Sequence, residues 1–314
     1  MSGGERAAVK VSVAIPVYNS EKTLRILVPS LIEAIVRMGH TPEIVCVDDR
    51  SKDASWTVLQ ELKAVHPELK IARLARNSGQ HSAVLCALTL STGDIVVTMD
   101  DDLQHPPEEV PKLVRAVEEG PELVIGAYDD KKHSAFRNLG GRMVDATLRR
   151  IFKLDSSMEL TSFRAMSRPL VDRVKATYSA YPYITALLLS HSSSYSNVLV
   201  RHAPRQEGKS NYNLTKSLKL AATLIFTYSS YPAIFITALC AFVFVLLLAY
   251  SFYVLHMAIF GGTSMPGWAS TILAVTFLNG LVLLGLALLS FYISRMYLQI
   301  TGLRSAFSIE RIHE

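Results

Sequence analysis

IVVTMDDDLQHPP, residues 95–107, runs from an apolar segment straight into three adjacent carboxylates, Asp100, Asp101 and Asp102, with Gln104 and a Pro-Pro pair just beyond. The apolar run Asp94–Met99 reads as a strand buried on both faces, the kind found in parallel sheets. Three neighbouring carboxylates repel one another and are costly to bury, so a fold that places them at a strand end needs a compensating cation or other neutralising partners. Oxygen-only ligands, here Asp100, Asp102 and the Gln104 amide, suit Mg²⁺ or Mn²⁺, which share their coordination with substrate phosphates. In isolation a D-x-D reads better as a solvated acidic turn before a helix start. The rest of the chain decides between the two.

Working outward, strand-like and helix-like segments alternate. Lys10–Ile15 is a β-rich run halted by Pro16, after which Asn19 or Ser20 can cap a helix carrying Leu24, Leu27, Leu31, Ile35 and Met38 at helical spacing. Glu43–Val47 is a second apolar strand, ending in Asp48 and Asp49, and a helix to Val65 follows. Lys70–Leu74 is the third strand, with a helix from Ser78-Gly79 to Leu90; Pro106-Pro107 opens another helix to Glu119, and Glu122–Ile125 is the fifth strand. This order predicts an α/β, Rossmann-like, mainly parallel sheet whose ligands gather at the carboxyl ends of the strands. The polar residues fall there: Tyr18 and Asn19, Asp48 and Asp49, Asn77 to Gln80, and Asp100 to Gln104. The carboxylates at these two strand ends exceed what capping requires, and they can accept hydrogen bonds from a base or a ribose hydroxyl. Neither G-x-G-x-x-G nor G-x-x-x-x-G-K-[ST] occurs, which disfavours a dinucleotide fold and a phosphate-loop ATPase.

Composition bounds the remainder. The 314 residues are 50% hydrophobic with a formal charge of +5, too apolar for an ordinary soluble enzyme and too charged to be all membrane. Between Lys219 and Arg295 there is no Asp, Glu, Lys or Arg. Pro232–Phe260 and Trp268–Ser294 each exceed the roughly 20 residues that span a bilayer. Lys209, Lys216 and Lys219 precede the first span, Arg295, Arg304 and Arg311 follow the second, and the link between them is uncharged, so the positive-inside rule puts both ends in the cytosol. The expected organisation is a catalytic domain at 1–212, an amphipathic interfacial segment at 213–231, a two-helix transmembrane hairpin at 232–294 and a cytosolic tail at 295–314. MSGGERAAVK lacks the apolar core of a signal peptide, which keeps the catalytic part cytosolic. Cys46, Cys86 and Cys240 sit in apolar surroundings and are expected to be buried thiols.

AIPVYNS (14–20), CVDDRSKDAS (46–55), RNSGQHSAVLCAL (76–88) and VTMDDDLQHPPE (97–108) together resemble the inverting family-2 glycosyltransferases with the A-type nucleotide-sugar fold. More narrowly, the chain is similar to the polyprenyl-phosphate glycosyltransferases, the class that includes dolichyl-phosphate mannose synthase, and the expected location is the inner membrane. The resemblance implies that Pro16, Tyr18 and Asp48, with Asn19 and Asp49 beside them, hold the nucleotide, that Asp100, Asp102 and Gln104 hold Mg²⁺ or Mn²⁺, and that Asp101 lies against the donor. Asn77, Gly79 and Gln80 match the family's R-N-x-G-K/Q segment. Arg137 falls in the basic loop that faces the acceptor phosphate, and Arg205, Gly208, Lys209, Ser210 and Tyr212 match the R-x-x-G-x-S-x-Y segment that closes the site near the membrane. Asp100, Asp102, Arg137 and Arg205 are the implied catalytic set. The implied partners are a nucleotide diphosphate sugar, expected to be UDP-linked, a polyprenyl phosphate, the membrane and further copies of the chain, with no nucleic acid.

The chain departs from the family's pattern at two places. Tyr128 stands where many relatives carry a basic residue, and Ser162 where many carry an acidic one. A phosphate monoester is largely dianionic at neutral pH and attacks with little or no help from a base, so the second change is tolerable. Two competing readings stay open: a membrane polysaccharide synthase, which would make a polymer and usually carries a Q-x-x-R-W motif absent here, and an inactive membrane-anchored nucleotide-sugar-binding protein.

Overall fold

The computed structural model describes residues 8–128, 139–155, 157–177, 182–203, 267–300 and 306–313, with scattered helical residues between 222 and 260. The chain divides into two compact units, residues 1–219 with 304–314, and residues 220–303.

The first unit is an eight-stranded sheet in the order β7-β5-β6-β4-β1-β2-β3-β8. Its centre, β1 (Lys10–Val17), β2 (Thr41–Asp48), β3 (Leu69–Leu74) and β4 (Ile95–Thr98), is parallel. The four residues of β4 are all buried, as are all but the first residue of β1, the two-faced burial that a parallel sheet under helices demands. Helices α1 (Leu24–Val36), α2 (Ser55–Val65) and α4 (Val110–Glu118) pack together on one layer, and α3 (Gln80–Leu90), α6 (Arg168–Ala176) and α7 (Ile184–His191) on the other. A single 3-10 turn, Pro107–Glu109, precedes α4, so the predicted helix starts in two steps. Cys46 and Cys86 are buried free thiols as expected; Cys240 lies outside the described residues.

Pro16 does not halt β1. The strand continues to Val17, because pairing with β4 ends at Ala14 and Thr98 while pairing with β2 runs on to Asp48. The Val17 carbonyl faces β2, where it accepts from the Asp49 N–H at 2.8 Å; the adjacent Pro16 nitrogen faces the side where the ladder has already ended, so its missing donor costs nothing.

Beyond the parallel centre, β5 (Leu123–Tyr128), β6 (Arg164–Ser167) and β7 (Tyr195–Val200) extend the sheet, with β6 antiparallel to both β4 and β5. α5 (Leu139–Phe152) lies between β5 and β6 in the chain. The opposite edge is closed by β8 (Ile309–His313), which pairs antiparallel with β3. The last residues of the chain therefore belong to the sheet.

In the second unit, α8 (Trp268–Ile300) is a 33-residue helix whose one charged residue is Arg295. Val275, Phe277, Val282, Leu283, Leu289 and Ile293 on it are exposed. Among the described residues, no helix is long and apolar enough to cross a membrane. Most of the first predicted span, residues 232–260, lies outside the described residues.

At the amino ends of the strands the Glu43 carboxylate is 2% exposed. It accepts from Ser12 Oγ at 2.5 Å and from the Thr92 N–H and hydroxyl at 2.7 Å, and pairs with Lys10 at 2.8 Å and Lys70 at 3.1 Å. Burial works against its charge, but these donors together outweigh burial and hold its acid dissociation well below the usual carboxylate range. A folded-state value below the unfolded one contributes stability that is full above the unfolded carboxylate value and is lost as pH falls toward the folded one. Glu43→Gln is therefore expected to cost about 2 kcal/mol at pH 7, with the gap to wild type in denaturant unfolding shrinking as pH drops from about 5 toward 3.

Candidate active site

The sheet's strand order reverses between β1 and β4, and open α/β sheets bind ligands at the carboxyl ends beside such a reversal. A cleft of about 820 Å³ lies there, within the size range of ligand pockets. Pro16, Val17 and Tyr18 line it from β1, Asp49 from the end of β2, and Asn77, Gly79 and Gln80 from the loop after β3. Asp100, Asp101, Asp102 and Gln104 close it from β4. Ten of the residues singled out from sequence thus meet in one cavity.

Each carboxylate in it has a different environment. Asp101 accepts from the Tyr18 N–H at 3.1 Å and from the Ser20 hydroxyl. Burial pushes its dissociation up to about 6, with the charges of Asp100 and Asp102 adding to the effect and the two hydrogen bonds opposing it. Asp100 accepts from Gln80 Nε2 at 2.6 Å on one oxygen and from Ser162 Oγ at 2.7 Å on the other. Asp102 accepts from the Gln104 N–H at 3.2 Å.

Asp48 and Asp49 divide their work in a way that adjacent letters do not reveal. Asp48 has no exposure; its carboxylate accepts from the Ser51 N–H at 2.9 Å and lies 3.0 Å from Arg73 Nε, while Arg73 sits over the Trp56 ring. It is a support beneath the cleft rather than part of its lining. Asp49 faces the cleft, but its oxygens accept from the Ser78 and Gly79 N–H groups at 2.6 and 2.8 Å, which pins the loop that opens α3. Burial raises its dissociation, those two donors oppose the rise, and the charge of Asp48 adds to it. Gly79 holds φ +89, a conformation that only glycine enters without strain.

Asn19 lies on the far side of Tyr18 and Asp101, lining a second cleft of about 500 Å³. It holds φ +56, its N–H donates to Ser51 Oγ at 3.0 Å and its side-chain oxygen accepts from the Lys52 N–H at 2.8 Å. Neither Asn19 nor Ser20 caps α1 with its side chain. The helix starts at Thr23 with no side-chain cap, because the Ser20 hydroxyl is taken by Asp101. Arg137, Arg205, Gly208, Lys209, Ser210 and Tyr212 lie outside the described residues.

Two supports of the acidic loop went unread in the sequence. Arg164, at the start of β6, is 5% exposed; its Nη1 donates to Thr185 Oγ1 at 3.2 Å. Burial lowers its dissociation to about 10, with Tyr183 and Asp100 among the groups that favour its charge. It is a buried cation close enough to Asp100 for that carboxylate to favour its charge. The signal was available: a lone Arg inside the apolar run FRAM. The other is His105, 2% exposed, with Nε2 2.9 Å from the Tyr128 hydroxyl and its ring on Phe163 at 4.9 Å.

An α/β sheet with an acidic cleft at the β1/β4 reversal is the architecture of the open, mainly parallel folds that bind ligands at a switch point. The comparisons narrow it. The profile described as "Glycosyl transferase family 2" matches residues 12–174, and the chain belongs to that family. It is 35% identical over 295 residues to the undecaprenyl-phosphate 4-deoxy-4-formamido-L-arabinose transferase of Edwardsiella ictaluri, covering 91% of this chain and 89% of that one. It is 34% identical over 310 residues to the enzyme of the same name from Pseudomonas aeruginosa, covering 96% and 90%. Among solved structures, glucosyl-3-phosphoglycerate synthase from Mycobacterium tuberculosis, in complex with Mn²⁺ and UDP-glucose, shares the fold with a TM-score of 0.50 and 23% identity over 70% of this chain and 78% of that one. A mycobacterial protein does so with a TM-score of 0.53 and 22% identity over 71% and 75%. The protein is a glycosyltransferase.

Hydrogen bonds to a charged acceptor contribute about 1.5–3 kcal/mol each. Ser162→Ala and Gln80→Ala are therefore each expected to lower kcat/KM for sugar transfer by about ten-fold or more with the unfolding temperature little changed. Steady-state kinetics beside a thermal melt checks this.

Proposed function

We propose that this glycosyltransferase moves a single sugar, with inversion, from a nucleotide diphosphate sugar to undecaprenyl phosphate at the cytosolic face of the inner membrane. The observation that carries the reading is the similarity to undecaprenyl-phosphate sugar transferases over about nine-tenths of both chains, which extends beyond the sheet into the apolar second unit. Their names put 4-deoxy-4-formamido-L-arabinose first among the sugars to test, carried on UDP as the family resemblance implies.

The residues present fit a divalent cation shared with the donor. Among the described residues no three His, Cys, Asp or Glu side chains are arranged to hold an ion alone, and both Asp100 oxygens already accept from the protein. The cation would rest on Asp102, Gln104 and the remaining lone pairs of Asp100, with donor phosphate oxygens completing the shell as they do for Mg²⁺ in phosphate sites. When bound, it supplies neutralisation of the departing nucleoside diphosphate. The chain's own part is positioning. Asp49 and Gly79 fix the loop over the cleft, and Asp101 holds the β1 loop through Tyr18 and Ser20. Arg137 and Arg205, with Lys209, Ser210 and Tyr212, orient the acceptor phosphate, a task suited to the planar guanidinium. The acceptor oxygen forms its bond to the anomeric carbon as the bond from that carbon to the diphosphate breaks. The acceptor is already dianionic, so no side chain has to remove a proton.

The membrane reading draws support from β8. Residues 309–313 hydrogen-bond to β3, so whatever crossings the chain makes between 219 and 304 must be even in number. Two crossings, Pro232–Phe260 and the helix α8, meet that condition. Neighbouring copies are expected to pack through this part.

Purified full-length protein, given undecaprenyl phosphate, a panel of nucleotide sugars and Mg²⁺ or Mn²⁺, is expected to yield lipid carrying one sugar. Chelation should abolish the product and Asp102→Ala should reduce it by about a hundred-fold or more; absence of lipid-linked sugar with every donor overturns the proposal. A reporter inserted at residue 264 is expected to read out as periplasmic and one at the C-terminus as cytosolic, and a cytosolic signal from both would remove the hairpin.

A further inference from the structure

The acidic loop, residues 100–106, has no regular secondary structure, and Leu103 within it holds φ +60. A non-glycine residue persists in that conformation only where its surroundings over-determine it. The first half of the loop is held from inside the cleft, through Asp100 and Asp101. The second half is held from outside, by three residues that follow β7.

The Ala203 N–H donates to the Gln104 carbonyl at 2.9 Å. Arg201 donates from Nε to one Glu109 oxygen at 2.7 Å and from its backbone N–H to the other at 3.3 Å. Glu109 is 1% exposed and also faces Lys112 Nζ at 2.5 Å; a carboxylate so buried requires such partners. The third contact is a column of rings. His105 stands on Phe163 and bonds the Tyr128 hydroxyl, and the Tyr128 ring meets His202 at 4.3 Å. The pairing of β7 with β5 ends at Val200 and Tyr128. These contacts lie past the ladder and are not needed to hold β7 in the sheet.

We propose that residues 201–203 form a latch that sets the shape of the acidic loop, with Arg201 and His202 as positioning residues for Asp102 and Gln104. The importance of the latch for catalysis rests on the reading of that loop as the donor site. Its location gives it a second meaning. The chain leaves the latch directly into residues 204–212, the segment that sequence assigns to the acceptor phosphate, so the donor loop and the acceptor segment share one anchor. A rearrangement that pulls on the acceptor segment would reach Gln104 through the Ala203 hydrogen bond and His105 through the rings.

The test uses the full chain in detergent and the double variant Arg201→Ala/His202→Ala. Amide hydrogen exchange across residues 100–106 is expected to speed up by about ten-fold while exchange across β1 and β2 stays at the wild-type level. UDP binding in the presence of Mn²⁺, measured by calorimetry without acceptor, is expected to weaken by about ten-fold, and His202→Phe in the Arg201→Ala background, which keeps a ring against Tyr128, should recover part of the loss. Tyr128→Phe removes only the hydroxyl of the column and serves if the double variant does not fold; about three-fold faster loop exchange is expected from it. Unchanged loop exchange in a folded double variant, or in Tyr128→Phe where the double variant does not fold, overturns the latch. Failure of wild type to bind UDP with Mn²⁺ overturns the donor-site reading instead, and the exchange result still decides the latch.

Discussion

Three consecutive carboxylates at the mouth of a parallel sheet are the constraint to which the site answers. Two like charges about 5 Å apart repel by about 3 kcal/mol at an effective dielectric constant near 20, and burial adds to that. The chain meets the cost by giving each residue a different environment. Asp101 is drawn inward, tied to the β1 loop, and its dissociation rises to about 6. Asp100 receives two neutral donors and has the buried Arg164 guanidinium behind it. Asp102 keeps its place in the cleft, where it accepts from the Gln104 N–H. Identical side chains are separated into a tether, a clamped acid and a cleft-facing acid by their surroundings alone.

The parallel half of the sheet was legible because its strands are short apolar runs set between helical periodicities, and because the polar residues collect where such a sheet binds its ligands. The rest depended on information that no local pattern carries. β6 is four residues long, and its membership is decided by pairing with β4 and β5. β8 is separated from its partner β3 by both apolar segments, and all five of its residues are exposed, so no buried stripe marks it. The same limit applies within the site. Asp48 and Asp49 are neighbours in sequence, but alternation along β2 sends one beneath the cleft to Arg73 and the other into it. Which of two adjacent acids faces a ligand turns on where the strand ends, and strand ends are the least legible feature of a sequence.

The closing strand also governs how the loop after β2 is supported. Arg50, at φ +62, pairs with Glu310, the Trp56 and His313 rings lie 6.0 Å apart, and the Ala75 N–H donates to the Ser308 carbonyl at 2.8 Å. The segment that follows the apolar unit thus braces the turn beneath which Asp48 is buried. Two ends of the catalytic sheet are then tied to chain that borders the apolar unit: the acidic loop to residues 201–203, and the β2 loop to residues 308–313.

That arrangement changes the meaning of the two departures from the family's pattern. Taken from sequence, Tyr128 and Ser162 look like losses, which favours an inactive protein. In the structure both are engaged with the acidic loop. The Ser162 hydroxyl donates to Asp100 at 2.7 Å; a carboxylate at that position would set a fourth negative charge against the other three. Tyr128 extends its hydroxyl to His105 and its face to His202, where a basic side chain would have to share a buried site with the nearby Arg164 cation. Every acid of the loop has protein donors, and Ser162 and Tyr128 supply or support them, so neither departure strips the acidic loop of a partner.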